Sequence, residues 1–471
     1  MAEPSKQKSK PSKQRSEPES PGFAKVLRSR DVILLSFGAM IGWSWVLLTG
    51  VWLTEAGTLG TLIAFAIGGL AICLIGLTYS ELASAMPKAG GEHVYTHRAL
   101  GSKWSFVCTW ALLFSYVNVC LFESVALPTA VEYLFPEIRL GTLWNVLGAD
   151  VDLGFVLVGG AGTILVTWVN YVGIRTAAFV QSIVTGLIIC AGLVLFFGSA
   201  TAGSMLNAEP WLVEVSGVLI VLIMVPSMLI GFDVIPQSAE EINLPPQRIG
   251  RLLVISVICA VLWYVGISAA VGFALTPSAI EASGMPTADA ARTMWGGSWA
   301  GTFLVLGGIG GIMTSWNAFI IGGSRVLFAL AKSGQVPAVF ARLHPRYQTP
   351  YVGILCIGVL SLGAPLFGRT ILVWLVNSGS FAVTIAFLFV AISFLVLRHK
   401  EPELERPFKV SHPNLVGWGA VILSLGLLNA FMPWSPSALA WPAEWLTIVI
   451  WSVLGLILFW TYRPQAHELK E

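Results

Sequence analysis

The stretch GAMIGWSWVLLTG, Gly38 to Gly50, interrupts the first long apolar run of the chain at Gly42. A plain membrane-spanning helix has no use for that interruption, because glycine inside a helix costs about 1 kcal/mol relative to alanine. A second apolar run, VPSMLIGFDVIPQSAEE, Val225 to Glu241, is broken by Pro226, Gly231 and Pro236 with Asp233 between them. Each break opens a set of five apolar runs. Non-helical backbone at membrane depth is tolerated only around a cavity, and paired interruptions in two halves of a chain point to a binding site near the bilayer midplane.

Composition places both breaks in a bilayer. The 471 residues are 56% hydrophobic and 11% charged, and mean hydropathy is +0.78, too apolar for a soluble domain of this size. A helix needs roughly 20 apolar residues to span the hydrocarbon layer. Twelve runs qualify, at about 31–54, 58–86, 104–135, 151–170, 176–199, 214–242, 250–275, 299–331, 351–367, 370–397, 415–433 and 445–462. The ten-residue alternation of a transmembrane barrel is missing. The expected class is therefore an all-α integral membrane protein with twelve transmembrane helices. Lys and Arg crowd the even-numbered connections and both tails, while the opposite side carries Arg139, Arg292 and Arg369. The positive-inside rule then predicts cytoplasmic termini in a multi-pass protein of the cell membrane.

Residues 1–30 begin with a Lys/Ser/Pro-rich stretch without an apolar core, read as a disordered basic cytoplasmic tail, and 463–471 as a second tail. Six cysteines inside apolar runs without CxxC spacing read as packing residues. His93 and His97 have metal-ligand spacing but no completing carboxylate. No converging enzymatic set lies in the spans, so no enzyme activity, cofactor or nucleic-acid partner is expected.

Five segments in order carry a resemblance: GAMIG (38–42), ELASAMPKAGGEHVYTHRALG (81–101), NYVGIRTAAFVQS (170–182), IGFDVIPQSAEEINLPPQRIG (230–250) and TSWNAFIIGGSRVLFALAKSGQVP (314–337). With these the chain resembles the amino acid–polyamine–organocation family of secondary transporters over essentially its whole apolar length. The resemblance implies two inverted five-helix repeats, 31–199 and 214–397, with the first helix of each broken, followed by two more helices in 415–462. It also implies amino acid transport by alternating access, as ion-coupled symport or as exchange.

The half-helix after Gly42 would offer N–H groups and a positive dipole end to a substrate carboxylate, and the carbonyls of the second break would accept from an ammonium group. The candidate substrate residues are Ala39, Met40, Ile41, Gly42, Trp43, Ser44, Glu123, Ser227, Met228, Ile230, Gly231, Phe232 and Asp233. Glu123, a mid-span carboxylate, is a candidate amine ligand or proton carrier. Where relatives have a small residue and a glycine, Gly42 is followed by Trp43 and Ser44, and where many have an aromatic gate stands Ser227. Trp43 is therefore the expected aromatic wall, and the crowding favours small neutral amino acids, with organic amines or polyamines as the alternative. A fifth-helix lysine of some relatives is replaced by Ile188. That leaves a candidate Na⁺ site at Gly38, Ile41, Thr314 and Ser315, or H⁺ coupling, or exchange. Glu81, Glu240 and Glu241 are the expected partners of Arg98, Arg248 or Arg325. The alternatives of another class are a channel and a non-transporting sensor.

Overall fold

The computed structural model describes residues 23 to 462 except Ala24 and Leu147, without the side chains of 174–178. Residues 1–22 of the first expected tail and all of 463–471 lie outside the described residues.

The chain opens with α1 (Ser29–Met40) and, after a non-helical step at Ile41 to Trp43, α2 (Ser44–Leu47). Helix α3 (Thr49–Ala85) contains Gly57 at φ 73, where the chain turns. Leu59 donates from its amide to Trp211 O there, and Val213 to Ala56 O. Residues before Gly57 thus continue the first broken helix, and those after it form the next one. A short helix α4 (Glu92–Leu100) leads into α5 (Ser102–Leu134). Pro128 has no N–H to close the helical bond to Ser124 O, and that carbonyl faces Gly159, where a Cβ would stand 2.6 Å from it.

A small antiparallel hairpin comes next, β1 (Thr142–Val146) and β2 (Ala149–Asp152). The Asp152 carboxylate caps α6 (Leu153–Val172) by accepting from Gly154 N at 2.7 Å. Beyond it lie α7 (Ile174–Ala202), α8 (Val215–Leu229), the second break, and α9 (Val234–Gln237). Helix α10 (Pro246–Ala274) is followed by the short α11 (Pro277–Ala282) and α12 (Pro286–Trp295), each with proline in its first turn, where the missing N–H costs nothing. The remaining helices are α13 (Ser298–Lys332), α14 (Tyr351–Gly363), α15 (Ile371–Lys400), α16 (Pro413–Ala430) and α17 (Ala443–Thr461).

Among the described residues eleven helical segments are long and apolar enough to cross a membrane. The expected spans 351–367 and 370–397 fall within one such segment, 351–400, in which Gly368 at φ 67 separates α14 from α15. Helix α13 is the most enclosed, with 83% of its most apolar window buried, and α17 the least, with 11%. The outward faces are those of a bilayer solvent: Leu157, Ile164, Trp168, Ile422, Ile457 and Trp460 are all exposed.

Candidate functional site

The two breaks touch. Gly231, at φ 128, lies so close to the first break that a Cβ there would sit 2.8 Å from the Ala39 Cβ and 2.9 Å from Met40 N. No side chain fits at that crossing, and an L-residue would also be strained at this φ.

Beside the crossing is a cavity with about 30 Å³ of room for a water-sized sphere, enough for about two waters. Five elements line it. The first break provides Ala39, Met40, Gly42 and Ser44, the end of α8 Ser227 and Met228, and α13 Ser315 and Phe319. From α15 come Leu375, Val376 and Gly379. From α5 come Ser115, Asn118, Val119, Phe122 and Glu123, a spacing of three and four that puts all five on one helical face.

Glu123 answers why residue 42 is glycine. A Cβ on Gly42 would overlap the Glu123 Oε1 atom and stand 3.1 Å from the Ser315 hydroxyl. The Trp43 amide N–H and the Ser315 hydroxyl approach the carboxyl, which therefore caps the half-helix that starts at the break. Its Oε2 atom has no protein partner.

The freed backbone of the break is met by two helices. Tyr264 on α10 donates to Met40 O at 2.8 Å and hydrogen-bonds Ser44 Oγ at 2.8 Å. Thr314 donates to Gly38 O at 3.0 Å. Gly311 admits α13 to the carbonyls of Ile41 and Gly42, the former 3.0 Å from the position of a Cβ. At the second break Ser227 N donates to Ser380 Oγ at 3.0 Å, and Ser227 Oγ to Val376 O at 2.9 Å. Asp233 Oδ1 accepts from Gly231 N at 2.8 Å.

Of the thirteen residues expected at the substrate site, Ala39, Met40, Gly42, Ser44, Glu123, Ser227 and Met228 line the cavity. Ile41, Trp43, Ile230, Gly231, Phe232 and Asp233 are buried outside its lining. Trp43 lies against Gly308, and the aromatic walls of the cavity are Phe122 and Phe319. Sequence reading passed over Ser115, Asn118 and Tyr264, because uncharged polar residues in a long apolar helix carry no signal beyond their shared face.

The candidate Na⁺ site at Gly38, Ile41, Thr314 and Ser315 sits where α13 meets the end of α1. Thr314 is hydrogen-bonded to Gly38 O, whereas Ser315 faces Gly42 and Glu123. An amide donor, Gln181 Nε2, stands 3.4 Å from Leu34 O and would collide with a Cβ on Gly38. The fifth-helix residues that meet the first break are thus Gln181 and Thr185, and Ile188 packs one turn further along, by Gly310.

The expected acid–base pairs are corrected in part. Glu241 pairs with Arg325 at 2.8 Å, both side chains buried. Glu81 pairs instead with Arg398 and Arg406, at 2.5 and 3.1 Å, and Arg98 with Glu401 at 2.6 Å. The end of α15 and the loop after it fold over the ends of α3 and α4, a placement that sequence spacing does not reveal. Glu240 accepts from the Ala89 amide.

A family model described as amino acid permease matches residues 28–454. Similar curated proteins include the branched-chain amino acid permease BcaP of Bacillus subtilis (strain 168), 26% identical over 94% of this chain and 93% of that protein. The methylthioribose transporter of the same organism is 26% identical over 96% of each. Cationic amino acid transporter 4 of Mus musculus is 29% identical over 80% of this chain and 60% of its own length.

Proposed function

The chain belongs to the amino acid permease family, and from that premise we propose that it carries small neutral amino acids through the cavity between its two broken helices, with Glu123 as the ligand of the substrate amine. The observation that carries this reading is the Glu123 carboxyl, which lines the cavity beside Gly42 while its Oε2 atom has no protein partner. A substrate ammonium group brought there would complete that oxygen with a charge-assisted hydrogen bond. The α-carboxylate would take the remaining N–H groups of the half-helix that opens at Trp43 and Ser44.

Size supports the choice among amino acids. Phe122, Phe319, Leu375 and Val376 close the cavity around five short polar side chains, Ser44, Ser115, Asn118, Ser227 and Ser315. These would recognise a compact zwitterion and offer no carboxylate besides Glu123 to a second cationic group. With the Thr314 hydroxyl hydrogen-bonded to Gly38 O, transport is read as proceeding without Na⁺, as exchange or with protons.

Uptake of labelled alanine and serine into proteoliposomes, against a polyamine and a branched-chain amino acid, tests the reading. Saturable uptake with counterflow of the small amino acids is expected, unchanged when Na⁺ is replaced by choline. Glu123→Gln should weaken substrate binding about 10- to 100-fold, the worth of a hydrogen bond to a charged group. Amine transport in the absence of amino acid transport would overturn the substrate assignment, and unaltered affinity in Glu123→Gln would remove Glu123 from the site.

A further inference from the structure

A second pair of carboxylates lies away from the cavity, where α4 meets the broken helix. Gly90 and Gly91, at φ 94 and 31, bring the start of α4 against Pro236 and Gln237. Glu92, the first residue of α4, is fully buried there and accepts a hydrogen bond from Gln237 Nε2. Asp233, also fully buried, uses Oδ1 on Gly231 N. The two carboxylates are near enough for the charge of one to oppose ionisation of the other.

Six polar atoms around them have no hydrogen-bond partner in the protein: Glu92 Oε1, Asp233 Oδ2, Gln237 Oε1 and the hydroxyls of Tyr79, Tyr95 and Tyr116. Tyr79 of α3 and Tyr116 of α5 approach the carboxylates without completing a bond. The other titratable groups facing the pair are Tyr95 on α4 and Cys108 on α5. Cations of the packed elements lie elsewhere: Arg325 of α13 on Glu241, Lys332 over Phe328, Arg398 of α15 on Glu81, Lys400 on Ala99 O, Arg98 of α4 on Glu401, and Lys103 of α5 exposed. Arg30 of α1 is exposed, and Asp31 accepts from Arg28 N. Among the described residues no ion pair reaches Glu92 or Asp233.

Two like charges buried without a counter-ion are unfavourable, whereas one proton turns such a pair into a donor and an acceptor that titrate together. We propose that Glu92 and Asp233 hold one proton between them, a proton site that joins α4 to the broken helix while this region is closed and gives the proton to solvent when the contact opens. Burial, reinforced by the charge of Asp233, pushes the Glu92 carboxyl well above the ordinary carboxylate value of 4.5. An acid whose value is raised on folding binds more protons folded than unfolded, so its contribution to stability is present at low pH and lost as pH rises through the raised value. This reading is independent of Glu123.

The test is thermal unfolding of the purified full-length chain between about pH 7 and pH 9. That range lies above the ordinary histidine value, so the neighbouring His93, held down to about 3 by burial, stays neutral whether folded or unfolded. Wild type should lose stability as pH rises, by up to about tenfold per pH unit in the unfolding equilibrium for one proton. Glu92→Gln and Asp233→Asn should each flatten that slope, and the double variant should be no flatter than either. A slope retained in both single variants would overturn the proposal. So would a slope lost in only one, which places the proton on a lone carboxyl. Should a variant fail to assemble, the wild type suffices in infrared difference spectra over the same range. Loss of a protonated-carboxyl stretch with gain of carboxylate bands is expected, and spectra without it overturn the idea.

Discussion

At the scale of single residues, the decisive position is Gly42, whose missing side chain makes room for a carboxyl from another helix. Gly42→Ala would drive a methyl into Glu123 and Ser315, so one of three elements must shift. Overpacking of this kind costs about 1–3 kcal/mol. The expected outcome is a lowered melting temperature and loss of uptake, with part of the lost stability, but not the uptake, recovered in Gly42→Ala/Glu123→Ala. Tyr264 has the complementary role, since its hydroxyl bonds both Met40 O and Ser44 Oγ. Tyr264→Phe leaves that carbonyl buried without its donor, a cost of about 1–3 kcal/mol that thermal shift in detergent should register without loss of protein yield. Glu123 stood out in the sequence because a carboxylate amid apolar residues is costly. Tyr264 did not, because a tyrosine in an apolar run is ordinary until its hydroxyl is seen to meet a broken helix.

At the scale of elements, glycine and proline decide where helices stop and where they touch. Of the three residues expected to break the sixth run, Gly231 falls in the break, between the end of α8 at Leu229 and the start of α9 at Val234, whereas Pro226 and Pro236 lie inside those helices. The segment after α9 is joined to two neighbours. Glu241 is held by Arg325 of α13 through two hydrogen bonds, at 2.8 and 3.2 Å, and its backbone oxygen accepts from the amides of Val26 and Leu27. Removing one partner of such a buried pair leaves an uncompensated charge, a cost of about 3–5 kcal/mol, while replacing both by apolar residues is often neutral. Arg325→Met alone should therefore lower the melting temperature strongly, and Arg325→Met/Glu241→Leu should restore most of it. If the single and double variants melt alike, this pair does not hold the segment.

At the scale of the whole molecule, the two breaks meet within a bundle whose outer helices face lipid. The distribution of Lys and Arg predicts cytoplasmic termini, and the two sets of five helices are expected to be inverted repeats. Single cysteines introduced at Lys88 and at Arg139, in a background without the six native cysteines, should label from opposite sides with an impermeant maleimide. Lys88 should react only in permeabilised cells and Arg139 in intact ones. Labelling of both from one side would overturn the orientation.

The sequence by itself determined the membrane class, the approximate spans, the two breaks and two candidate carboxylates, Glu123 and Asp233, of which Glu123 lines the cavity. These come from local quantities: transfer energy summed over about twenty residues, the missing Cβ of glycine, the missing N–H of proline, and the cost of a charge in hydrocarbon. Only the tertiary structure decided that Glu123 occupies the space left by Gly42 and that Trp43 turns toward Gly308. It alone decided that Glu81 finds Arg398 over a separation of 317 residues, and that Thr314 and Ser315, adjacent in the chain, face different neighbours. Each depends on how helices distant in sequence are rotated and placed against one another. In a membrane that rotation is set by packing and by hydrogen bonds between helices, which leave little trace in the order of residues along any one of them.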